Sequence, residues 1–235
     1  MGRLFLPDLL RLCLLILSLA GACVVLAFPT STLVAQDLTW NRGIIFSFYV
    51  TLCVMGSIAA LLPSACTKAC GHKDSAWMPH ATLTHHPKCE GFSGHELHLG
   101  GRSFCAGCTG MLTGALISIP LIAAYSAGMS PAQRMWILTE LGVAVTLLGL
   151  FMPLSNSRNS LLRFAMGASF IVGMTFILIG LDSQLRSIDV DLFILLMTLF
   201  WVFTRISLSQ FIHKRICESC LRRCVQQKRD RPEVA

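Results

Sequence analysis

Long apolar blocks alternate with short polar connections along this chain, and the blocks set its class. Six stand out, over residues 9–28, 44–62, 109–125, 136–152, 161–181 and 192–212. A bilayer core is crossed by about 20 residues of helix, so each block is a candidate span, with the third and fourth at the short limit. None shows the residue-by-residue alternation of a membrane barrel strand. Backbone groups in lipid must be satisfied within their own segment, so the spans are expected to be helices. The pattern predicts an all-α, polytopic membrane protein of about six transmembrane helices. It divides into two N-terminal helices (1–62), a Cys/His-rich loop (63–108), a four-helix region (109–212) and a basic, Cys-containing tail (213–235).

Charge adds an orientation. Charged residues are only 13% of the chain, and the net charge is +7. With six spans, one side receives Arg3, Arg11, Lys68, Lys73, Lys88, Arg102, Arg158, Arg163, Lys214, Arg215, Arg222, Arg223, Lys228, Arg229 and Arg231. The other side receives Arg42, Arg134 and Arg186, while Arg205 lies inside the last block. This fifteen-to-three bias places both termini in the cytoplasm and the protein in the cell (inner) membrane. The four charges of the long loop weigh less in that count. The basic tail reads as a topology signal or a contact with anionic lipid. No aromatic-interleaved or helix-in-groove module accompanies it, which argues against nucleic acid as a partner. The run Ala20-Gly21-Ala22-Cys23 after Arg3 fits a cleaved leader poorly, because the apolar stretch is long. It is read as a span.

Cysteine usage brings in chemistry. Of eleven cysteines, Cys13, Cys23 and Cys53 lie in spans and read as small apolar packers. The other eight fall on the expected cytoplasmic side, with six of the seven histidines (His72, His80, His85, His86, His95 and His98) in the same loop. In a reducing compartment, clustered thiols point to metal or redox chemistry before structural disulfides. Cys105-x-x-Cys108 has the spacing of two thiolates on one tetrahedral ion. Gly107 between them is expected to permit a tight turn. Cys89 and the His85-His86 pair complete a candidate metal site, the fourth donor coming from Cys89, His95 or His98. Mixed thiolate and imidazole donors suit zinc, whereas an Fe–S cluster prefers four thiolates. A redox-active dithiol lacks its βαβ setting here. Cys217-x-x-Cys220-x-x-x-Cys224 would share one helix face and, with Cys66-x-x-x-Cys70, form a second metal or redox site. The plain alternatives are a small apolar stripe or a lipidation site.

The loop 155–160 is short and polar, and it lies on the same side. Asn and Ser there would cap the fifth helix. Asn156, Arg158, Asn159 and Arg163 could instead form an anion pocket at that helix N-terminus. Gly110 and Gly114, Gly142 and Gly149, and Gly173 and Gly180 mark expected packing faces. Pro120 would kink the third span and Pro153 would end the fourth. Glu140 and Arg205 are polar groups in apolar blocks, which face the bundle interior or snorkel to the interface; Arg205 is expected to snorkel, and Glu140 is a candidate functional residue.

The residues His85-His86-Pro87, Cys105-Ala106-Gly107-Cys108-Thr109-Gly110 and Ser155-Asn156-Ser157-Arg158-Asn159-Ser160-Leu161-Leu162-Arg163-Phe164 together resemble a widespread family of small prokaryotic integral-membrane proteins, a domain of unknown function. The resemblance covers roughly residues 85–175. It departs from the family pattern at Gly107, where a charged residue is usual, and at Phe151-Met152-Pro153, where an acidic one is. It implies location and candidate residues, not a reaction, and it couples the two polar loops into one unit.

Three functions follow as expectations. The first is a membrane protein with a cytoplasmic-face zinc site that is structural or docks a partner. The second is a metal-dependent membrane enzyme acting on an anionic or lipid-linked substrate. The third, a metal carrier, is weakened by the lack of a chain of ionisable residues through the spans. All three take the lipid bilayer as partner and are compatible with an oligomer.

Overall fold

The computed structural model describes residues 5–28, 39–61, 90–128, 135–155 and 157–229. Six helices account for most of them: α1 Phe5–Ala27, α2 Thr39–Leu61, α3 Ala106–Ser126, α4 Met135–Phe151, α5 Ser160–Leu185 and α6 Ile188–Arg229. The all-α expectation holds, with one small addition. A two-stranded antiparallel hairpin, β1 Glu96–Leu99 and β2 Arg102–Cys105, precedes α3. Its two-residue loop is Gly100-Gly101, with φ of 55° and 75°. Two successive positive φ values make the turn that matches strand twist, and glycine adopts them without steric cost.

Five stretches are long and apolar enough to cross a membrane: Asp8–Ala27, Ala106–Ser126, Trp136–Leu154, Ser160–Leu185 and Ile188–Cys220. The apolar stretch of α2, Gly43–Ile58, is shorter. The apolar blocks 109–125 and 136–152 are not marginal, because α3 begins three residues earlier than the first suggests and the second runs on through the short 3-10 turn Met152–Leu154.

The surface and interior are arranged as lipid solvation requires. Leu10, Leu12, Ile16, Leu116, Leu148, Leu161, Leu196 and Phe203 are all exposed, whereas Asp182, Ser118, Thr175 and Arg205 are buried. The Tyr125 hydroxyl donates to Asp182 Oδ2 at 2.6 Å, and Tyr49, Thr175 and Ser118 form a hydroxyl chain with spacings of 2.9 and 2.7 Å. Polar groups turned inward and apolar ones outward fit a multi-pass membrane protein. Glu140 is exposed on α4.

α5 is the central helix, with α3 and α4 packed on it. Phe170, Met174, Ile177, Leu178 and Leu181 on α5 are essentially inaccessible. The contacts are backbone-close because glycines face them. A Cβ added at Gly114 would sit 2.5 Å from the Ala168 carbonyl oxygen, and one at Gly142 would sit 2.7 Å from that of Gly173. α1 joins α6 through Trp201, whose ring nitrogen donates to the Ser18 carbonyl at 3.2 Å. The Arg11 guanidinium lies 3.4 Å over the Phe211 ring, so the start of α1 and the later part of α6 share one end of the bundle. The start of α5 is at that end too: Gly94, in the 3-10 turn Glu90–His95, packs on the backbone of Arg158. The described parts of the two polar loops, residues 90–105 and 157–159, therefore meet at this end.

Candidate functional site

At this end the helices line a partly open cavity of about 120 Å³. Its chemistry comes from four elements. His95 enters from the 3-10 turn, Cys105, Gly107 and Cys108 from the start of α3, Arg163 from the first turn of α5, and Arg205, Ser209, Gln210 and His213 from α6. The hairpin delivers the first thiol. Glu96 pairs with Cys105 in the ladder, and Cys105 is at once the last residue of β2 and the N-cap of α3. Cys108 lies in the first turn of the helix rather than in a loop, and Gly107 is helical with open space around its Cα, so it makes no tight turn. Helical spacing places both sulfurs at the positive end of α3. Neither is disulfide-bonded.

The imidazoles meet each other and an aromatic ring edge to face. His95 and His213 have ring centroids 5.3 Å apart, and Phe92 lies 5.5 Å from the first and 5.6 Å from the second. Phe92 and His95 are buried, so the 3-10 turn is anchored on α6 by this trio.

Two guanidiniums complete the lining. Arg163 Nε and Nη2 donate to the Ser157 carbonyl at 3.1 and 2.9 Å, and Nη2 also reaches that of Ser155 at 3.3 Å. Arg205 donates from Nη1 to the Gly149 carbonyl at 2.5 Å and, weakly, to that of Met166 at 3.5 Å, with its guanidinium 4.6 Å from the Phe170 ring centroid. It is 6% exposed, so it does not snorkel. Arg163 lies within electrostatic reach of Cys105, and Arg205 within that of Cys108.

Neither a protein-family model, a curated protein nor a solved structure matches this chain.

The sequence-predicted residues divide accordingly. Cys105, Cys108, Arg163 and the candidate fourth donor His95 line the cavity. His98 does not. It is exposed on β1 and hydrogen-bonds through Nδ1 with Ser103 Oγ at 2.9 Å, across the hairpin. His85, His86, Cys89, Cys66, Cys70 and Asn156 lie outside the described residues, as does the side chain of Cys224 on α6. Among the described residues, no three His, Cys, Asp or Glu side chains stand as a closed metal-binding group. Cys217 and Cys220 are disulfide-bonded. A sulfur in a disulfide carries no thiolate charge, so in this state the two are not donors for the expected second metal site. Asn159 caps α5, its Oδ1 accepting from the Leu161 and Leu162 amides at 3.0 and 3.2 Å, which occupies it locally. Arg158 is exposed, so among the described residues of the expected anion pocket only Arg163 faces the cavity.

Sequence reasoning missed His213 and Arg205 as site residues. Both were legible as polar groups about two turns apart on the last helix. What hid them was assigning one to the span end and the other to the interface by position alone.

Proposed function

We propose that the chain is a six-span membrane protein, with α2 as the additional crossing, whose cavity holds a zinc ion on the Cys105 and Cys108 thiolates and the His213 or His95 imidazole. Remaining donors come from His85, His86 and Cys89. The observation that carries this reading is the convergence of both thiols of the C-x-x-C pair and two imidazoles on one small cavity. The ion would tie the hairpin and the start of α3 to α6 and hold that end of the bundle as a docking face for a partner. The fifteen-to-three charge bias supports the cytoplasmic side of the inner membrane for this face, and the resemblance to a prokaryotic membrane family agrees with it.

A second reading has its own observation. Two guanidiniums line the same cavity. An ion with three protein ligands and one open position beside them would polarise or hydrolyse an anionic, lipid-linked substrate.

Metal content by mass spectrometry, wild type beside Cys105→Ser/Cys108→Ser, tests the site. About one zinc per chain is expected in the first and none in the second. Equal zinc in both removes the assignment. Coordination number by X-ray absorption then separates the readings, four protein ligands for the docking platform and three plus water for the enzyme.

A further inference from the structure

We infer that the cavity is an anion site, built on Arg205, for a phosphate group. The inference rests on the arginines and stands whether or not a metal is bound.

Arg205 is a cation in a membrane-spanning helix, 6% exposed, lining the cavity. Its protein hydrogen bonds go to the carbonyls of Gly149 and Met166, and both leave from Nη1. Among the described residues, no carboxylate is paired with it. A guanidinium carries five N–H donors in a planar fork, so Nε and Nη2 retain donors for the cavity. A buried charge without a counter-charge is strongly unfavourable in a bundle and worse in lipid. The counter-charge therefore comes from what enters the cavity.

Three features select phosphate. Arg163 adds a second guanidinium, so a dianion balances both. Ser209 and Gln210 supply neutral hydrogen-bonding groups on the same wall. The volume, about 120 Å³, is that of about four waters, which suits one phosphate group. Cys108 beside Arg205 and Cys105 beside Arg163 are the nearest internal alternatives. As thiols they carry no charge, and as zinc-bound thiolates they would be neutralised by the ion, so in either state both arginines are left to the ligand.

The position suggests where the phosphate comes from. Arg205 is seventeen residues beyond Ile188, the start of α6. At 1.5 Å per residue that is about 26 Å, close to the ~30 Å depth of the hydrocarbon core. The cavity thus lies near one edge of the hydrocarbon core, within reach of either a lipid headgroup or free phosphate.

The test is binding of inorganic phosphate to the full chain in a detergent without phosphate, by calorimetry, beside retention of phosphatidic acid against phosphatidylcholine in native mass spectra. Binding of inorganic phosphate, weakened about tenfold or more in Arg205→Gln, supports the site with a soluble ligand. Retention of phosphatidic acid alone, lost in Arg205→Gln, supports it with a lipid one. Binding of neither overturns it, as does equal binding by wild type and Arg205→Gln. Should Arg205→Gln not fold, Arg205→Lys keeps the charge and loses the fork. About tenfold weaker binding is expected there too, and unchanged affinity overturns the assignment. Cys105→Ser/Cys108→Ser separates this from the zinc reading: phosphate binding is expected to persist without the metal, and its loss would move the anion from the arginines to the ion.

Discussion

Arg205 donates to the carbonyl of Gly149, and Pro153 is the reason that carbonyl is available. In an α-helix the Gly149 oxygen would accept from the amide four residues on, which here is the nitrogen of Pro153 and carries no hydrogen. The guanidinium replaces the missing donor at 2.5 Å. It also brings positive charge to the C-terminal end of α4, where the helix dipole favours it. The proline that ends α4 and the arginine buried in α6 are thus two halves of one device.

This pairing predicts a rescue. Arg205→Leu leaves a buried carbonyl unsatisfied and should cost about 1–3 kcal/mol, read by reversible denaturation in micelles. Pro153→Ala restores an amide at the right place, so in the Arg205→Leu background it should return part of that loss. A double-mutant cycle measures the coupling. Strictly additive effects would dissolve the link.

The helix contacts make a sharper prediction about two glycines of one helix. At Gly114 a Cβ would press on the Ala168 backbone, and at Gly107 it would meet nothing within 4 Å. Gly114→Ala should destabilise by about 1–3 kcal/mol through overpacking of α3 on α5. Gly107→Ala should leave thermal stability unchanged or raise it slightly, since alanine favours helix. Equal effects would mean that the α3–α5 approach is looser than its geometry.

Much of this architecture was legible because lipid leaves few alternatives. Apolar blocks must be helices, and glycines at Gly110, Gly114, Gly142 and Gly149 could only be closing helix faces. The hairpin was less legible. Gly100-Gly101 between Leu97-His98-Leu99 and Arg102-Ser103-Phe104 is a hairpin signal, but counting those residues as loop ligands concealed it, and with it the fact that His98 turns to Ser103 while His95 turns to the cavity. The direction of Arg205 was not legible either. Snorkelling and burial differ only in what stands across from the side chain, here Gly149 and Phe170, and that depends on how α4 and α5 pack.

The two exchanged histidines give the third prediction. His213→Ala should lower zinc content and expose the Phe92 turn, whereas His98→Ala should leave zinc unchanged, because His98 is spent on Ser103 across an exposed hairpin. Metal analysis of the two variants side by side checks it. Loss of zinc in His98→Ala alone would restore the hairpin strand as a ligand strand and remove α6 from the site.

The last prediction concerns the tail, where charge and sulfur chemistry pull apart. Cys217 lies one helical turn beyond His213, and Cys220 one turn further, so both continue the cavity side of α6. Both are disulfide-bonded in this structure. Persistent disulfides belong to oxidising compartments, while the basic residues clustered with them belong to the cytoplasmic face. The charge bias is spread over every loop, whereas the sulfur chemistry depends on local redox conditions, so the orientation set by charge should prevail. In acid-quenched cells, then, Cys217 and Cys220 should react with a thiol reagent after lysis without prior reduction, and should form disulfides only on exposure to oxidant. A membrane-impermeant maleimide should not label either one in intact cells. If both instead stay blocked until a reductant is added, the tail faces an oxidising space, the bundle is inverted, and the metal and anion chemistry of the cavity belongs to the outer side of the membrane.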